Sequence, residues 1–559
     1  MTPTLLRNLQ IALGQDLLAF VPELILCLAI VLMLLMRLFP RYDRSHLGWV
    51  ALIMTVVALL VTFNQWLGNN GQYDPRVIGE NTTFHPVSLE IFSGLLVYDN
   101  FTIFLRIFLL GFTALVIMLS LLTGIPDKED SADFSCLILG ATVGMSLMAS
   151  ANHLIMIFIG VEMASLPSYA LAGFLKGKRA SSESALKYVV YGGGAAGVML
   201  YGMSLLAGRF GTGYLPDLVR FMAAGPLDPL ILLGTLFVLI GFGFKLAAVP
   251  FHFWCPDVFE GAAAEVGAFL SVASKGAALA LVARFTLGLG GLTGLNPDYA
   301  AWRNAAPYLV PTLTLFAALT TTFGNFAAYG QTNLKRLLAY STIAHAGFMM
   351  MGLATLTPEG TAAVLFYLIA YLFMNLGAFA VVAFLRNLTG SEDLRDFRGL
   401  VTRAPVLVIA LGVCLLSLLG MPPLAGFAAK FQIFSALFDA GNFYSNLGSD
   451  KLTPLGPMLY ALLVIGGLNT VVSLFYYVKV LKVMVLEKPL DEVEGRRPEP
   501  LPVPGSVSAY AVLLALVIVV AGILWNPLAQ WSSDGVNAFH AAPRAQQLPA
   551  GGLAKGAQP

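Results

Sequence analysis

Four ionisable side chains stand inside stretches that are otherwise apolar. Glu162 lies in IFIGVEMASLPSYAL, Lys245 in GFGFKLAAVPFHFW, Lys275 in SVASKGAALALVARF and Lys430 in SLLGMPPLAGFAAKF. A charge at the centre of a bilayer costs at least about 2.5–3.5 kcal/mol on insertion scales, so each needs a reason to be there. Ser165 and Tyr169 follow Glu162 at i+3 and i+7 and give that segment one polar helical face. Pro250 comes soon after Lys245, Ser271 stands one turn before Lys275, and Lys430 follows Pro422 and Pro423 by about two turns. Burial weakens a lysine's preference for the charged form, and a nearby carboxylate restores it. A Glu–Lys pair that can be loosened from elsewhere is therefore a lysine of adjustable proton affinity, which is what a proton pump requires. The competing reading is a static ion pair, or a lysine snorkelling to an interface. Three lysines on separate interior segments, two of them beside helix breaks, favour transport.

The other polar residues in apolar stretches carry less. His345 is the one histidine well inside such a stretch; it either joins a proton path or is a satisfied polar residue. His153 and His252 fall near span ends, while His46, His85 and His540 fall outside spans, so no pair is placed to hold haem between helices. Glu23 and Arg106 read as a local pair or an end effect. Cys27, Cys136, Cys255 and Cys414 are scattered with no CxxC, which gives no zinc or iron–sulfur ligand set and no disulfide framework; they read as small buried apolar residues. Gly192, Gly194 and Gly197 match GxGxxG, but inside an apolar helix with no preceding strand, so the dinucleotide reading fails. Gly193 and Gly197 read instead as a close helix-packing face.

Composition fixes the surroundings in which these residues must be positioned. Of 559 residues, 58% are hydrophobic and only 11% charged, with a mean hydropathy of +0.79. Soluble chains carry roughly 25% charged residues, so this surface faces lipid. A net charge of +1 argues against a nucleic-acid partner. Spans of about 20 apolar residues number fourteen, from Leu17–Met36 to Val507–Trp525; among them are Leu154–Phe174, Tyr188–Ala207, Leu230–Pro250, Ala262–Leu287, Leu337–Leu356 and Val406–Leu437. The first span is too long for a signal-peptide core and is read as retained. Nineteen of the 32 Lys and Arg fall in loops after odd-numbered spans and nine in the termini and even loops, which predicts odd loops in the cytoplasm and both termini outside. The tail from Asn526 is polar and reads as disordered in part.

The seventh and twelfth spans carry helix-breaking residues, Gly241, Gly243 and Pro250 in one and Gly420, Pro422, Pro423 and Gly426 in the other. Broken helices leave backbone carbonyls that are tolerated at membrane depth only when buried in protein or lining a wet cavity. Each break sits fourth in a run of five spans, four to eight and nine to thirteen. Paired interruptions of this kind mark a transport site, and units of five spans are inverted relative to each other. The expectation is an all-α integral membrane protein of about 14 helices with two inverted five-helix repeats. It divides into an N-terminal three-helix part (1–133), a core (134–486), and a last helix with its tail (487–559).

The stretches GVEMASLPSYAL, ESALKYVVYG, FKLAAVPFHFWCPDVFEGA, SKGAALALVAR and MPPLAGFAAKF together resemble the antiporter-like membrane subunits of respiratory complex I, the proton-translocating NADH:quinone oxidoreductase. These are relatives of subunits of multi-subunit cation/proton antiporters. The resemblance spans roughly Phe134 to Val485 and is greatest to subunit N, the mitochondrial subunit-2 type; Lys430 stands where the subunit M type has glutamate. The resemblance implies that Glu162 pairs with Lys245, that Lys275 is the central lysine and Lys430 the terminal one, and that Lys187 belongs to the pattern at the start of span six. It also implies a multi-pass protein of the bacterial inner membrane whose partners are other membrane-arm subunits. NADH, flavin, iron–sulfur clusters and quinone would be bound in those subunits and no cofactor by this chain. The alternatives are a subunit of a cation/proton antiporter or membrane-bound hydrogenase, a structural scaffold, and an independent solute carrier.

Overall fold

In the computed structural model, residues 13–38, 47–70, 88–127, 130–223, 227–290, 300–489 and 500–536 are described. Five helices lead into the region of the first break: α1 (Val21–Arg37), α2 (Gly48–Asn70), α3 (Asn100–Thr123), α4 (Ser131–Ser150) and α5 (Leu154–Ala172). A small antiparallel hairpin, β1 (Leu89–Ile91) with β2 (Leu96–Tyr98), precedes α3. Then come α6 (Arg179–Phe210), the short α7 (Leu215–Ala223), α8 (Pro229–Leu246), α9 (Trp254–Gly261), α10 (Ala264–Phe269) and α11 (Lys275–Gly290). A single π-helical turn, Leu270–Ser274, joins α10 to α11. The second half runs α12 (Ala300–Ala328), α13 (Leu334–Ala354), α14 (Pro358–Thr389), α15 (Pro405–Leu419), α16 (Ala425–Ser445), α17 (Leu455–Leu486), α18 (Gly505–Ile523) and α19 (Trp525–Asp534).

Twelve of these segments are long and apolar enough to cross a membrane, thirteen when the bent pair Leu13–Ala19 and Val21–Arg37 is taken as one span. The expected twelfth span, Val406–Leu437, is two helices, because Gly420 takes a left-handed φ of 94° and the chain turns before α16. The seventh breaks at Leu246 in the same way, with Ala247 left-handed at φ 57°. That conformation costs a non-glycine residue roughly 1–2 kcal/mol. The sixth span begins at Arg179 rather than Tyr188, so Lys187 sits in its third turn and not at its start. The tail is not wholly irregular: α19 folds back and its Trp531 packs on Trp66 and Phe104. Residues from 537 onward, His46 and His85, and several of the cations counted in loops lie outside the described residues.

Sequence-local signals place the helix ends. Asp99, Asp228, Asn333 and Thr357 accept backbone N–H bonds at the starts of α3, α8, α13 and α14, which satisfies donors that a helix start leaves free. Gly124, Gly211 and Gly390 end α3, α6 and α14 in the left-handed conformation. Glycines let the helices approach. A Cβ on Gly144 of α4 would stand 2.4 Å from the backbone of Ala164 in α5, and one on Gly324 of α12 would stand 2.6 Å from that of Ala344 in α13. The expected packing face at Gly193 and Gly197 is not formed within the chain: both point to open space, and Gly192 packs instead, on Tyr169. The cysteines differ as well, since only Cys255 and Cys414 are buried while Cys27 is exposed on the outer face.

The segment from Ala264 to Leu287 is buried along its whole length, and α13 and α14 are nearly so, whereas α2, α6 and α17 expose most of their surface. This inner group of helices has no lipid to face, so any charge on it must be answered by protein. Two charges assigned to loops by position in the sequence are of this kind. Arg284 donates to both carboxylate oxygens of Asp99 at 2.6 and 2.9 Å, to Thr102 Oγ1 and to the Ala149 carbonyl. Lys335 meets Glu392 at 2.8 Å and donates to the Ala262 carbonyl. Glu23 of α1 and Arg106 of α3 pair at 2.6 Å, and Glu265 is joined to Arg386 at 3.1 Å. Removing one partner of a buried pair costs about 3–5 kcal/mol because the other charge is left uncompensated, while an exposed pair is worth about 0–1 kcal/mol. Arg284→Ala should therefore cut the amount of chain recovered from membranes severely, and Arg209→Ala, which breaks the exposed pair with Asp228, should leave it unchanged. Immunoblots of washed membranes measure both; equal recovery would overturn the assignment.

Candidate functional site

The two helix breaks present their last carbonyls to buried lysines. At the first, the N–H groups of Ala247 and Ala248 cap α8 by donating to Phe244 and Gly243. The carbonyl of Leu246, the last helical residue, is left over, and it accepts from Lys275 Nζ at 2.7 Å. At the second, Gly420 and Met421 close α15 onto Leu416 and Ser417. The carbonyl of Leu419, again the last helical residue, accepts from Lys430 Nζ at 2.8 Å. Gly420 makes this approach possible: a Cβ there would lie 3.0 Å from Lys430 Cδ. Each lysine also has an aromatic face near it, Trp254 at 6.0 Å from Lys275 and Phe348 at 4.6 Å from Lys430. Such contacts favour a desolvated ammonium.

Lys245 is the next-to-last residue of α8 and is buried. Its Nζ donates to Ser165 Oγ at 3.0 Å. Ser165 lies one turn after Glu162 on α5, the polar face read from the sequence. Glu162 itself is half-buried and makes no ion pair within 4.0 Å among the described residues; the direct Glu162–Lys245 contact is absent. Ser165 Oγ in turn donates to the Val161 carbonyl at 2.6 Å. Lys245, Leu246 and Lys275 are consequently neighbours along one line: the residue after Lys245 supplies the carbonyl that holds Lys275.

His345 belongs to a second buried polar group on α13, α14 and α17. Its Nδ1 is 2.8 Å from Tyr367 Oη and its Nε2 3.1 Å from Tyr477 Oη, which also meets Ser341 Oγ at 2.5 Å. Phe348, the aromatic beside Lys430, is one turn further along the same helix. The π-turn directly before Lys275 carries further buried polar groups. Ser271 there accepts from Asn375 Nδ2 at 2.5 Å, while Ser274 Oγ and Asn375 Oδ1 are fully buried with no protein partner. π-turns are frequent at functional sites because they redirect side chains out of helical register.

Lys187 stands apart from this line. Its Nζ meets Glu183 and Asp257, each at 2.8 Å, and Arg336 bridges Asp257 and Glu260 at 2.7 and 2.6 Å. Asp257, Arg336, Lys335, Glu265, Asn375 and Arg284 are polar residues that reading by apolar runs passes over. The signal for Asp257 is nevertheless present, an acid that shares the mostly apolar stretch between Pro250 and Ala262 with His252 and Glu260, while Lys187 lies in the third turn of α6 and Arg336 in the first turn of α13.

A family model described as NADH:quinone oxidoreductase/Mrp antiporter, TM, matches residues 151–447. The chain is 39% identical over 468 residues to NADH-quinone oxidoreductase subunit N of Anaeromyxobacter sp. (strain Fw109-5), covering 81% of this chain and 87% of that one. It is 36% identical to NAD(P)H-quinone oxidoreductase subunit 2 of Picosynechococcus sp. (strain ATCC 27264 / PCC 7002 / PR-6), covering 91% and 90%. Among solved structures, a chain of respiratory complex I from Thermus thermophilus with bound Aureothin superposes with a TM-score of 0.69 at 28% identity, over 91% of this chain and 98% of that one. A chain of the Mrp complex from Dietzia sp. DQ12-45-1b shares the fold, with a TM-score of 0.74 at 18% identity and coverage of 93% and 97%. The match of more than half of the sequence to one family model, and relatives above 30% identity along most of its length, show that this chain belongs to the family of antiporter-like membrane subunits of NADH:quinone oxidoreductase, among its N-type members.

Proposed function

We propose that this chain is a proton-translocating membrane-arm subunit of a bacterial NADH:quinone oxidoreductase, with the proton path running from Lys245 through Lys275 and His345 to Lys430. The observation that carries the reading is the pairing of each helix break with one buried lysine, Leu246 O with Lys275 and Leu419 O with Lys430. A carbonyl accepts from an ammonium and from water alike, so a lysine that gives up its proton leaves an acceptor ready for water. Lys245 is held by a hydroxyl rather than a carboxylate. Movement of charge near Glu162 would change its field at Lys245 without breaking a salt bridge. Water bound at Ser274 Oγ and Asn375 Oδ1 would join Lys275 to the His345 group, since buried polar atoms without protein partners are where ordered water is held.

The driving reaction, electron transfer from NADH to quinone, takes place in the other subunits, where flavin and iron–sulfur clusters are bound; this chain carries no redox centre of its own. Residues 134–486 act as one antiporter-like core of two inverted five-helix units. Their likeness is supported by the breaks and by the two glycine contacts, Gly144 on Ala164 and Gly324 on Ala344, which are equally spaced along the chain. In this register Ser165, the partner of Lys245, corresponds to His345 near Lys430. Both termini lie on the periplasmic side of the inner membrane.

Three measurements test this. In inverted vesicles, Lys245→Ala should leave the complex assembled while NADH-driven quinone reduction and interior acidification fall together; normal acidification would refute the path. Gly420→Ala should lower acidification, because the strained φ and the crowded Lys430 stem displace the ammonium from Leu419, whereas Gly412→Ala, whose Cβ would meet only Leu481 at 3.6 Å, should pump normally. For orientation, a membrane-impermeant maleimide added to inverted vesicles should label Lys178→Cys and spare Asp450→Cys; the reverse pattern would invert the topology.

A further inference from the structure

The short helix α9 is held by charges and carries as its first residue Trp254, whose ring lies 6.0 Å from Lys275. Asp257 takes Lys187 of α6 on Oδ2 at 2.8 Å and Arg336 of α13 on Oδ1 at 2.7 Å. Its own carbonyl accepts from Ser184 Oγ of α6 at 2.9 Å. Arg336 reaches Glu260 on the same short helix, and Lys335 donates to Ala262 O just past its end. The seat is tight, because a Cβ on Gly261 would fall 2.0 Å from Ser184 Oγ and 2.4 Å from the Ala180 carbonyl. An eight-residue helix is too short to be stable by itself, so its position is set by these contacts.

What the clamp positions is Trp254, the first residue of α9. Its indole N–H donates to the Phe244 carbonyl at 3.0 Å, the residue before Lys245. Its ring faces Lys275 at 6.0 Å and stacks on Tyr188 at 4.3 Å, and Tyr188 directly follows Lys187. The two neighbours Lys187 and Tyr188 thus hold α9 at two places, Lys187 its middle by charge and Tyr188 its first residue by ring contact. We propose that Asp257 is a positioning residue for proton transfer: by clamping α9 between α6 and α13 it fixes Trp254 against the Phe244 carbonyl and Lys275, and so sets the geometry of the step between Lys245 and Lys275. Lys187 then belongs to the machinery through Asp257 and not as a carrier of protons. This inference rests on the path proposed above.

The test uses the whole complex in inverted vesicles, with assembly followed by immunoblot. Asp257→Ala should assemble yet show a several-fold loss of both quinone reduction and acidification, and Asp257→Glu should restore most of it. Trp254→Phe removes the indole donor while keeping a ring on Tyr188. If Asp257 acts through Trp254, adding Asp257→Ala to Trp254→Phe should lower the rate by less than about twofold further, as residues in one chain of contacts are non-additive. Full activity in Asp257→Ala would overturn the proposal, as would losses that multiply in the double variant or that track only the amount of assembled complex. Because Lys245 is intact throughout, such a result would remove the clamp while leaving the path to be judged by Lys245→Ala.

Discussion

The buried lysines set the central constraint of this molecule: an ammonium group inside the protein with no carboxylate paired to it. Lys275 and Lys430 are solved in the same way: the helix that would have used the carbonyls of Leu246 and Leu419 stops, and those carbonyls are given to the lysines. A carboxylate partner would hold the proton too firmly to be released, while no partner at all would make the charged form too costly to form in a low-dielectric interior. A single carbonyl with an aromatic face nearby lies between these limits. The left-handed Ala247 is a local cost of ending a helix inside a packed body, and Gly420 adopts the same conformation without it.

The same cost explains the layering. Helices without a lipid face carry Lys275, His345 and Asn375, while α8 and α16 bury Lys245 and Lys430 on one side and expose Leu233, Leu236, Phe427 and Phe431 on the other. Charges outside the proposed path are paired outright: Arg284 with Asp99, Arg106 with Glu23, Arg386 with Glu265. The contrast separates the two roles. A salt bridge with both partners buried is a strut, because breaking it is expensive. A lysine held by a neutral oxygen is a group that can change its protonation state without dismantling its surroundings.

Much of this was legible in the sequence, and for one reason: hydropathy at this density leaves few places for an ion, so Glu162, Lys245, Lys275 and Lys430 stand out against the residues around them. The two breaks were legible from Pro250 and from Pro422–Pro423, since proline and glycine act on the backbone directly. What was not legible depends on partners far away in the chain. Nothing in the run around Lys245 says that Ser165 rather than Glu162 receives its proton donor, because i+3 spacing puts both on one face. Arg284 and Lys335 read as loop cations because they sit at the ends of apolar runs, and only Asp99 and Glu392, distant in sequence, reveal them as buried. Gly193 and Gly197 have the spacing of a packing face but point away from the rest of the chain, and that choice is made by Tyr169 filling the groove at Gly192.

The uneven treatment of the two breaks follows from these contacts. After the second break α16 continues for 21 residues and carries Lys430 itself, so the lysine and its carbonyl are fixed by one continuous helix and the turn beside it. After the first break the chain makes only the eight residues of α9 and the six of α10 before the π-turn and Lys275. Lys275 therefore reaches the Leu246 carbonyl from a different helix, and its register against α8 depends on whatever holds the intervening segment. A short helix supplies little rigidity of its own; the ion network at Asp257 and the Tyr188–Trp254 stack supply it from α6 and α13. The charged cluster at the edge of the membrane and the lysine line inside it are for this reason one mechanical unit, joined by a single indole ring.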